Sequence, residues 1–108
     1  MIEYRVRISP EAEQGLAEIV EYIAHWDSVD RAEYVLEKLL DVCERFEQLP
    51  ERGHFPPELL ALGIKSYREV HFKPFRIVYE VIAREVFILL IVDGRRSLQP
   101  ILAQRLLR

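Results

Sequence analysis

The sequence has only one cysteine, Cys43, and four glycines among its 108 residues. One cysteine cannot form an intramolecular disulfide, so a hydrophobic core must stabilise the fold, and a reducing, cytoplasmic setting is expected. No apolar run approaches the roughly 20 residues that span a bilayer. The opening segment alternates polar and apolar residues and lacks the hydrophobic stretch of a secretory signal. These absences predict one cytoplasmic domain over residues 1–108 that makes no contact with a membrane.

Acidic and basic residues are unevenly distributed along the chain. Residues 1–63 contain 6 Lys/Arg and 14 Asp/Glu, whereas residues 64–108 contain 9 Lys/Arg and 4 Asp/Glu. The net charge of −3 for the whole chain argues against salt-driven nucleic-acid binding by the entire domain. The acidic half suits the solvent-facing sides of amphipathic helices. The basic half also suits a sheet that receives an acidic partner or nucleic acid.

The first half of the chain predicts a strand followed by two helices. Residues 2–8 alternate apolar and charged side chains, as in a half-buried strand. Ser9 and Pro10 suit the N-cap and the first position of a helix, and its apolar stripe ends at Trp26, which we expect in the core. A second apolar stripe follows and ends before Pro50. Two helices with one apolar stripe each predict a helical hairpin packed on a sheet.

Three consecutive strands are predicted over residues 64–72, 75–82 and 86–92, because these segments are rich in β-branched and aromatic residues. Pro74 marks the first turn between them. Hairpin pairing fixes which side chains share a face. The face toward the helices is expected to carry Val70, Phe72, Phe75, Ile77, Tyr79, Val81, Ile88, Leu90 and Val92. The opposite face is expected to carry Tyr67, Glu69, His71, Arg76, Glu80, Phe87, Leu89 and Ile91.

The last strand is apolar on both faces, which is typical of a strand that is covered on both sides. We therefore expect the C-terminal segment or a partner chain to lie over Phe87, Leu89 and Ile91. A turn at residues 93–96 and a short helix after Ser97 complete the chain. The predicted fold class is α+β, with an N-terminal strand, a helical hairpin packed on an antiparallel sheet, and a short C-terminal helix.

Short motifs distributed over nearly the whole chain occur in the order typical of one protein family. They are Ser9-Pro10-Glu11-Ala12-Glu13, Leu49-Pro50 before Gly53, Tyr67-Arg68-Glu69-Val70, Lys73-Pro74-Phe75-Arg76-Ile77-Val78-Tyr79 and Asp93-Gly94-Arg95-Arg96. In this order they resemble the RelE/ParE superfamily of toxins from type II toxin–antitoxin modules. The resemblance implies a toxin that forms a hetero-oligomer with a cognate antitoxin, which neutralises it by direct binding. Any contact with DNA would be indirect, through the antitoxin.

The resemblance implies one of two activities. ParE-like members inhibit DNA gyrase, whereas RelE-like members cleave mRNA on the ribosome and resemble one another in a strongly basic surface and a Tyr or His near the C-terminus. This chain is acidic overall, and residues 97–108 contain neither Tyr nor His. We therefore expect gyrase inhibition rather than an enzymatic activity. A ribosome-dependent mRNA endoribonuclease, and an inactive remnant that binds only an antitoxin, are the alternatives.

Candidate site residues follow from these alternatives. A nuclease would need a proton-transfer group and cations that hold the phosphate, and the candidates are His71, Lys73, Arg76 and Arg68. The structural alternatives are a solvated histidine at a hairpin end and, for Arg68, a clamp at the sheet edge. The residues expected to bind a partner are Arg76, Phe87, Leu89, Ile91, Arg95 and Arg96. No sequence motif predicts a metal or a cofactor.

Overall fold

The computed structural model describes residues 3–96 and 99–106. In chain order its elements are β1 (Arg5–Ile8), α1 (Pro10–Trp26), α2 (Val29–Glu44), a 3₁₀ turn (Arg45–Glu47), α3 (Pro57–Leu60), β2 (Arg68–Phe72), β3 (Phe75–Ile82), β4 (Glu85–Asp93) and α4 (Gln99–Leu106). Among the described residues, none of the helices combines the length and apolar character needed to cross a membrane. This order confirms the predicted α+β fold class.

The four strands form one sheet in the order β1-β4-β3-β2. Strands β2, β3 and β4 are an antiparallel meander, and β1 lies parallel to β4 at one edge. The Lys73-Pro74 turn that joins β2 to β3 contains a cis peptide bond. Strand β2 begins at Arg68 rather than at residue 64, because Ile64 and Tyr67 pack instead into a small apolar cluster. This cluster lies on the far face of the sheet, which is the face opposite α1 and α2.

The helical hairpin of α1 and α2 covers one face of the sheet and forms the main core with it. Ser9 caps α1 by accepting a hydrogen bond from the Ala12 amide, and its hydroxyl donates to the Leu89 carbonyl of β4. Gly15 lies on the Ile91 carbonyl, where a Cβ atom would collide with the strand backbone. The absence of a side chain at Gly15 therefore lets α1 approach β4 closely.

A β-bulge in β4 reverses the expected faces of its C-terminal half. Tyr79 pairs with Ile88 and Val78 with Leu90, so Leu89 is an extra residue between them. A one-residue insertion moves every following side chain to the opposite face. Ile91 is therefore fully buried in the main core beneath the helices, and its predicted place on the far face was wrong. For the same reason Leu90 and Val92 lie on the far face rather than toward the helices.

The far face of the sheet has its own, smaller apolar cluster. Leu59 of α3 packs there with Val78, Leu90 and Val92, and Ile101 of α4 lies against the same group. The C-terminal segment thus covers β4, as predicted, but over Leu90 and Val92 instead of the expected residues. Phe87 and Leu89 are half-buried.

Candidate functional site

A network of charged side chains surrounds Arg76 on the far face of the sheet. Its guanidinium donates to both carboxylate oxygens of Glu58 at 2.7 and 2.8 Å, and to both oxygens of Glu69, the Nη2–Oε2 bond measuring 2.7 Å. Four of its five N–H donors are thereby used. Glu69 has no exposed surface, and a carboxylate in that position must be paired. Arg76 is therefore the counter-ion that allows Glu69 to be buried.

The pKa values of this network reflect its hydrogen bonds. The Arg76 guanidinium, by donating to Glu58, lowers the pKa of that carboxyl. The bonds to Glu58, together with those to Glu69, raise the pKa of Arg76 despite its burial. Both groups are thus held in their charged forms.

Two histidines complete the surroundings of Glu69. His71 Nε2 lies 3.0 Å from Glu69 Oε1, and His54 Nε2 lies 3.3 Å from Glu69 Oε2. His71 follows Glu69 by two residues on the same strand, so both side chains are on one face. His54 belongs to the loop before α3, and two backbone hydrogen bonds with Glu69 hold it beside β2. The centroids of the two imidazole rings are 5.2 Å apart.

Arg68 and Lys73 lie apart from this network. Arg68 Nη1 donates to the Gly53 carbonyl at 2.9 Å, and its guanidinium lies over the Phe55 ring. The Gly53 amide in turn donates to the Tyr79 hydroxyl, so Arg68 clamps the loop to the sheet edge, the structural alternative considered for it. Lys73 is exposed in the β2–β3 turn. Of the candidate nuclease residues, His71 and Arg76 therefore contact Glu69, whereas Arg68 contacts the Gly53 carbonyl.

A groove runs between α1, the end of β4 and α4, with a volume of about 430 Å³. Its lining includes Ile19, Tyr22, Arg95, Arg96 and Ile101. Both arginines are exposed, as predicted. Arg95 is nevertheless paired, because its Nη2 lies 2.6 Å from Asp93 Oδ2, and its hydrogen bonds lower the pKa of the Asp93 carboxyl.

Two aromatic side chains are exposed on α1, and one of them, Tyr22, lines this groove. Tyr22 is 64% exposed and Trp26 is 71% exposed, with ring centroids 6.4 Å apart. The prediction that Trp26 lies in the core was wrong. The last α1 side chain that packs on the main core is Ile23, so the core contacts of the helix end before Trp26. Helical spacing alone cannot reveal where these contacts end.

Sequence reasoning missed three members of the Arg76 network as site residues: Glu58, His54 and Glu69. The parity of the strands predicts the correct face for Glu69 but assigns it no role. The available signal is that Glu69 shares this face with His71 on the same strand and with Arg76 on the neighbouring strand. A carboxylate beside such nitrogen-bearing side chains is expected to pair with them. Glu58 and His54 lie in an irregular segment, and no periodic pattern indicates where such side chains point.

Comparison with known proteins relates this chain to bacterial toxins. A family model described as the ParE toxin of type II toxin–antitoxin system, parDE, matches residues 6–98. A search of curated proteins gave no significant match. Among solved structures, a chain of the chromosomal ParDE TA system from P. aeruginosa superposes with a TM-score of 0.71 and 16% identity, covering 86% of this chain and 98% of that one.

A chain of the toxin–antitoxin complex RelBE2 from Mycobacterium tuberculosis superposes with a TM-score of 0.63 and 16% identity, covering 85% of this chain and 99% of that one. At this identity the two structures establish the shared fold. The family model covers most of the sequence, from β1 to the residues that follow β4. This chain therefore belongs to the ParE toxin family of type II toxin–antitoxin systems.

Proposed function

We propose that this protein arrests bacterial growth by binding and inhibiting DNA gyrase in the cytoplasm, and that a cognate antitoxin neutralises it. Membership of the ParE family supports this choice over the RelE-like activity. The protein would act through protein–protein contacts, without a cofactor. The rival activity is ribosome-dependent mRNA cleavage, and an inactive remnant that binds only an antitoxin is the further alternative.

The hydrogen bonding and burial of Arg76 are the main observation against a nuclease activity. Phosphate cleavage needs cations whose N–H groups are free to meet the charge that develops on the phosphate. Arg76 instead gives four N–H donors to Glu58 and Glu69, and its side chain is 12% exposed. Arg68 is bound to the Gly53 carbonyl. Neither of the two candidate arginines is thus free to act on a phosphate beside His71.

The test measures both activities with the same protein. The toxin is induced alone in cells, and plasmid supercoiling and transcript integrity are followed together; the purified protein is then added to gyrase and relaxed plasmid. We expect loss of supercoiling with intact transcripts. Codon-dependent mRNA cleavage with normal supercoiling would show the RelE-like activity instead. Normal growth, supercoiling and transcripts would indicate an inactive remnant.

The groove beside α1 is the surface that we assign to the antitoxin. Its lining includes Ile19, Ile101 and the exposed ring of Tyr22, which lies beside the exposed ring of Trp26. Exposed aromatic residues next to an apolar groove are typical of interaction sites. Arg95 and Arg96 at its rim suit an acidic antitoxin segment.

A charge reversal tests this surface. Replacing Arg95 and Arg96 with Glu should slow association with the antitoxin and reduce its salt dependence, because exposed charges act mainly by steering the encounter. The matched control is Arg5→Glu with Arg84→Glu, since these two arginines are also exposed but lie at the opposite end of β4. Equal association rates for wild type and the Arg95/Arg96 variant would remove this rim from the interface.

We keep the half-buried Phe87 and Leu89 as proposed partner-binding residues, but not Ile91, because it is buried in the main core. Arg76 offers a partner little surface, since the carboxylates of Glu58 and Glu69 cover it.

A further inference from the structure

Three potential metal ligands converge beside β2: His54, Glu69 and His71. One ligand atom from each lies within 4.8 Å of the other two. The shorter separations are 3.0 Å between His71 Nε2 and Glu69 Oε1, and 3.3 Å between His54 Nε2 and Glu69 Oε2. Two ligands held about 2.0–2.1 Å from a tetrahedral zinc ion are themselves about 3.3 Å apart. The two nitrogen–oxygen separations, each to a different oxygen of Glu69, are close to this ligand–ligand spacing.

We propose that His54, Glu69 and His71 form a binding site for a divalent transition metal ion of the zinc class. The buried carboxylate of Glu69 is fixed, whereas the side chains of His54 and His71 are 58% and 41% exposed, respectively. Small rotations of these exposed rings can therefore close the remaining nitrogen–nitrogen separation around an ion. The exposed side leaves room for a water molecule as fourth ligand, which is usual for zinc held by three protein ligands.

Arg76 orients the metal-binding carboxylate. A carboxylate oxygen has two lone-pair directions, and each Glu69 oxygen receives one bond from Arg76 and faces one histidine. Each oxygen of Glu69 thus keeps one lone pair that Arg76 does not use. Such outer contacts commonly hold first ligands in position. The charges also favour a cation, since Glu58 and Glu69 outweigh the single positive charge of Arg76.

The ligand set selects among metals. Two imidazole nitrogens and one carboxylate suit Zn²⁺, Ni²⁺ or Cu²⁺, whereas Mg²⁺ and Ca²⁺ prefer oxygen ligands. Cys43 is not a competing site, because its buried thiol has a pKa raised to about 12 and so does not supply a thiolate. Binding would join the loop that carries His54 to strand β2. This role is separate from gyrase inhibition and does not depend on it.

The experiment uses untagged, EDTA-treated protein and Zn²⁺ alone as the probe. Calorimetric titration should show one saturable site, and Zn²⁺ should raise the melting temperature, because a ligand that binds only the folded state stabilises it. His54→Ala and His71→Ala should each weaken binding at least about tenfold, the lower bound for losing even an outer contact of a metal site. The matched control is His25→Ala, which removes the third histidine of the chain, on α1.

Three results would overturn the proposal: no saturable Zn²⁺ binding, unchanged affinity in both site variants, or an equal loss in His25→Ala. The variants are expected to fold, since both replaced side chains are substantially exposed. If either variant is unfolded by circular dichroism, NMR of the wild-type imidazole signals decides the question. Zn²⁺ should then shift the signals of His54 and His71 and leave those of His25 in place; the reverse pattern refutes the site.

Discussion

Replacing Arg76 with Met should be among the most destabilising single changes in this protein. Methionine keeps much of the length of the arginine side chain but removes its charge and every N–H donor. Glu69, which has no exposed surface, would lose the guanidinium that binds both of its carboxylate oxygens. Glu58 would lose both of its bonds as well, but it is 24% exposed and can be solvated in part. The cost therefore arises mainly at Glu69.

The expected magnitude follows from this burial. Removing one member of a buried ion pair costs about 3–5 kcal/mol, because the remaining charge is left without compensation. Domains of this kind unfold with a free energy of about 5–15 kcal/mol, so Arg76→Met should remove a large share of the total. Since each kcal/mol moves the melting temperature of a domain near this size by about 4–8 °C, we expect a fall of about 10 °C or more.

The assay is urea denaturation, with thermal unfolding beside it, at about pH 8, where an ordinary histidine is uncharged. The control is Arg95→Met, which removes an arginine bound to a carboxylate, but one whose side chain is 74% exposed; exposed pairs contribute little. Adding Glu69→Gln to Arg76→Met should recover part of the loss, since it removes the stranded charge. If Arg76→Met destabilises no more than Arg95→Met, the buried network does not stabilise the fold and our reasoning is wrong.

Two further predictions concern helix packing and acid stability. Gly15→Ala should lower the free energy of unfolding by about 1–3 kcal/mol, as expected for overpacking, because the new Cβ meets the rigid Ile91 carbonyl; stabilisation in urea denaturation would contradict this. Glu58 has a pKa below its ordinary value of 4.5, owing first to the Arg76 hydrogen bonds, so its stabilising contribution is present above that value and is lost as pH falls through the lowered pKa. The difference in free energy of unfolding between wild type and Glu58→Gln should thus narrow below about pH 4.5. An equal difference at neutral and acidic pH would refute this prediction.

The elements of the fold could be predicted from sequence because their signals are local. The Ser9-Pro10 helix start, the apolar stripes of α1 and α2 and the turn at Pro74 each depend on a few neighbouring residues. The structure has each of these elements, and the predicted α+β class is confirmed. The turn residues beside them also indicated that Arg95 and Arg96 are exposed, in contrast to the apolar strand that precedes them.

The assignment of faces failed where one residue of β4 lacks a partner. Parity holds up to Ile88, but the bulge at Leu89 moves Ile91 into the main core. With or without the bulge, β4 presents apolar side chains on both faces, so its sequence is compatible with either register. The choice depends on contacts with α1, where Gly15 lies on the Ile91 carbonyl.

The composition of the candidate site was decided by tertiary structure alone. Sequence placed His71 and Arg76 on one face, but His54 and Glu58 reach them from a loop and a four-residue helix without periodicity. The same holds for Trp26, whose exposure depends on where the core contacts of α1 end. Sequence by itself determined the strands, the helices and the family resemblance, since these depend on short-range patterns. Only the tertiary structure decided which charges meet, because the groups that contact the buried Glu69 come from β2, β3 and the loop before α3, which are apart in the sequence.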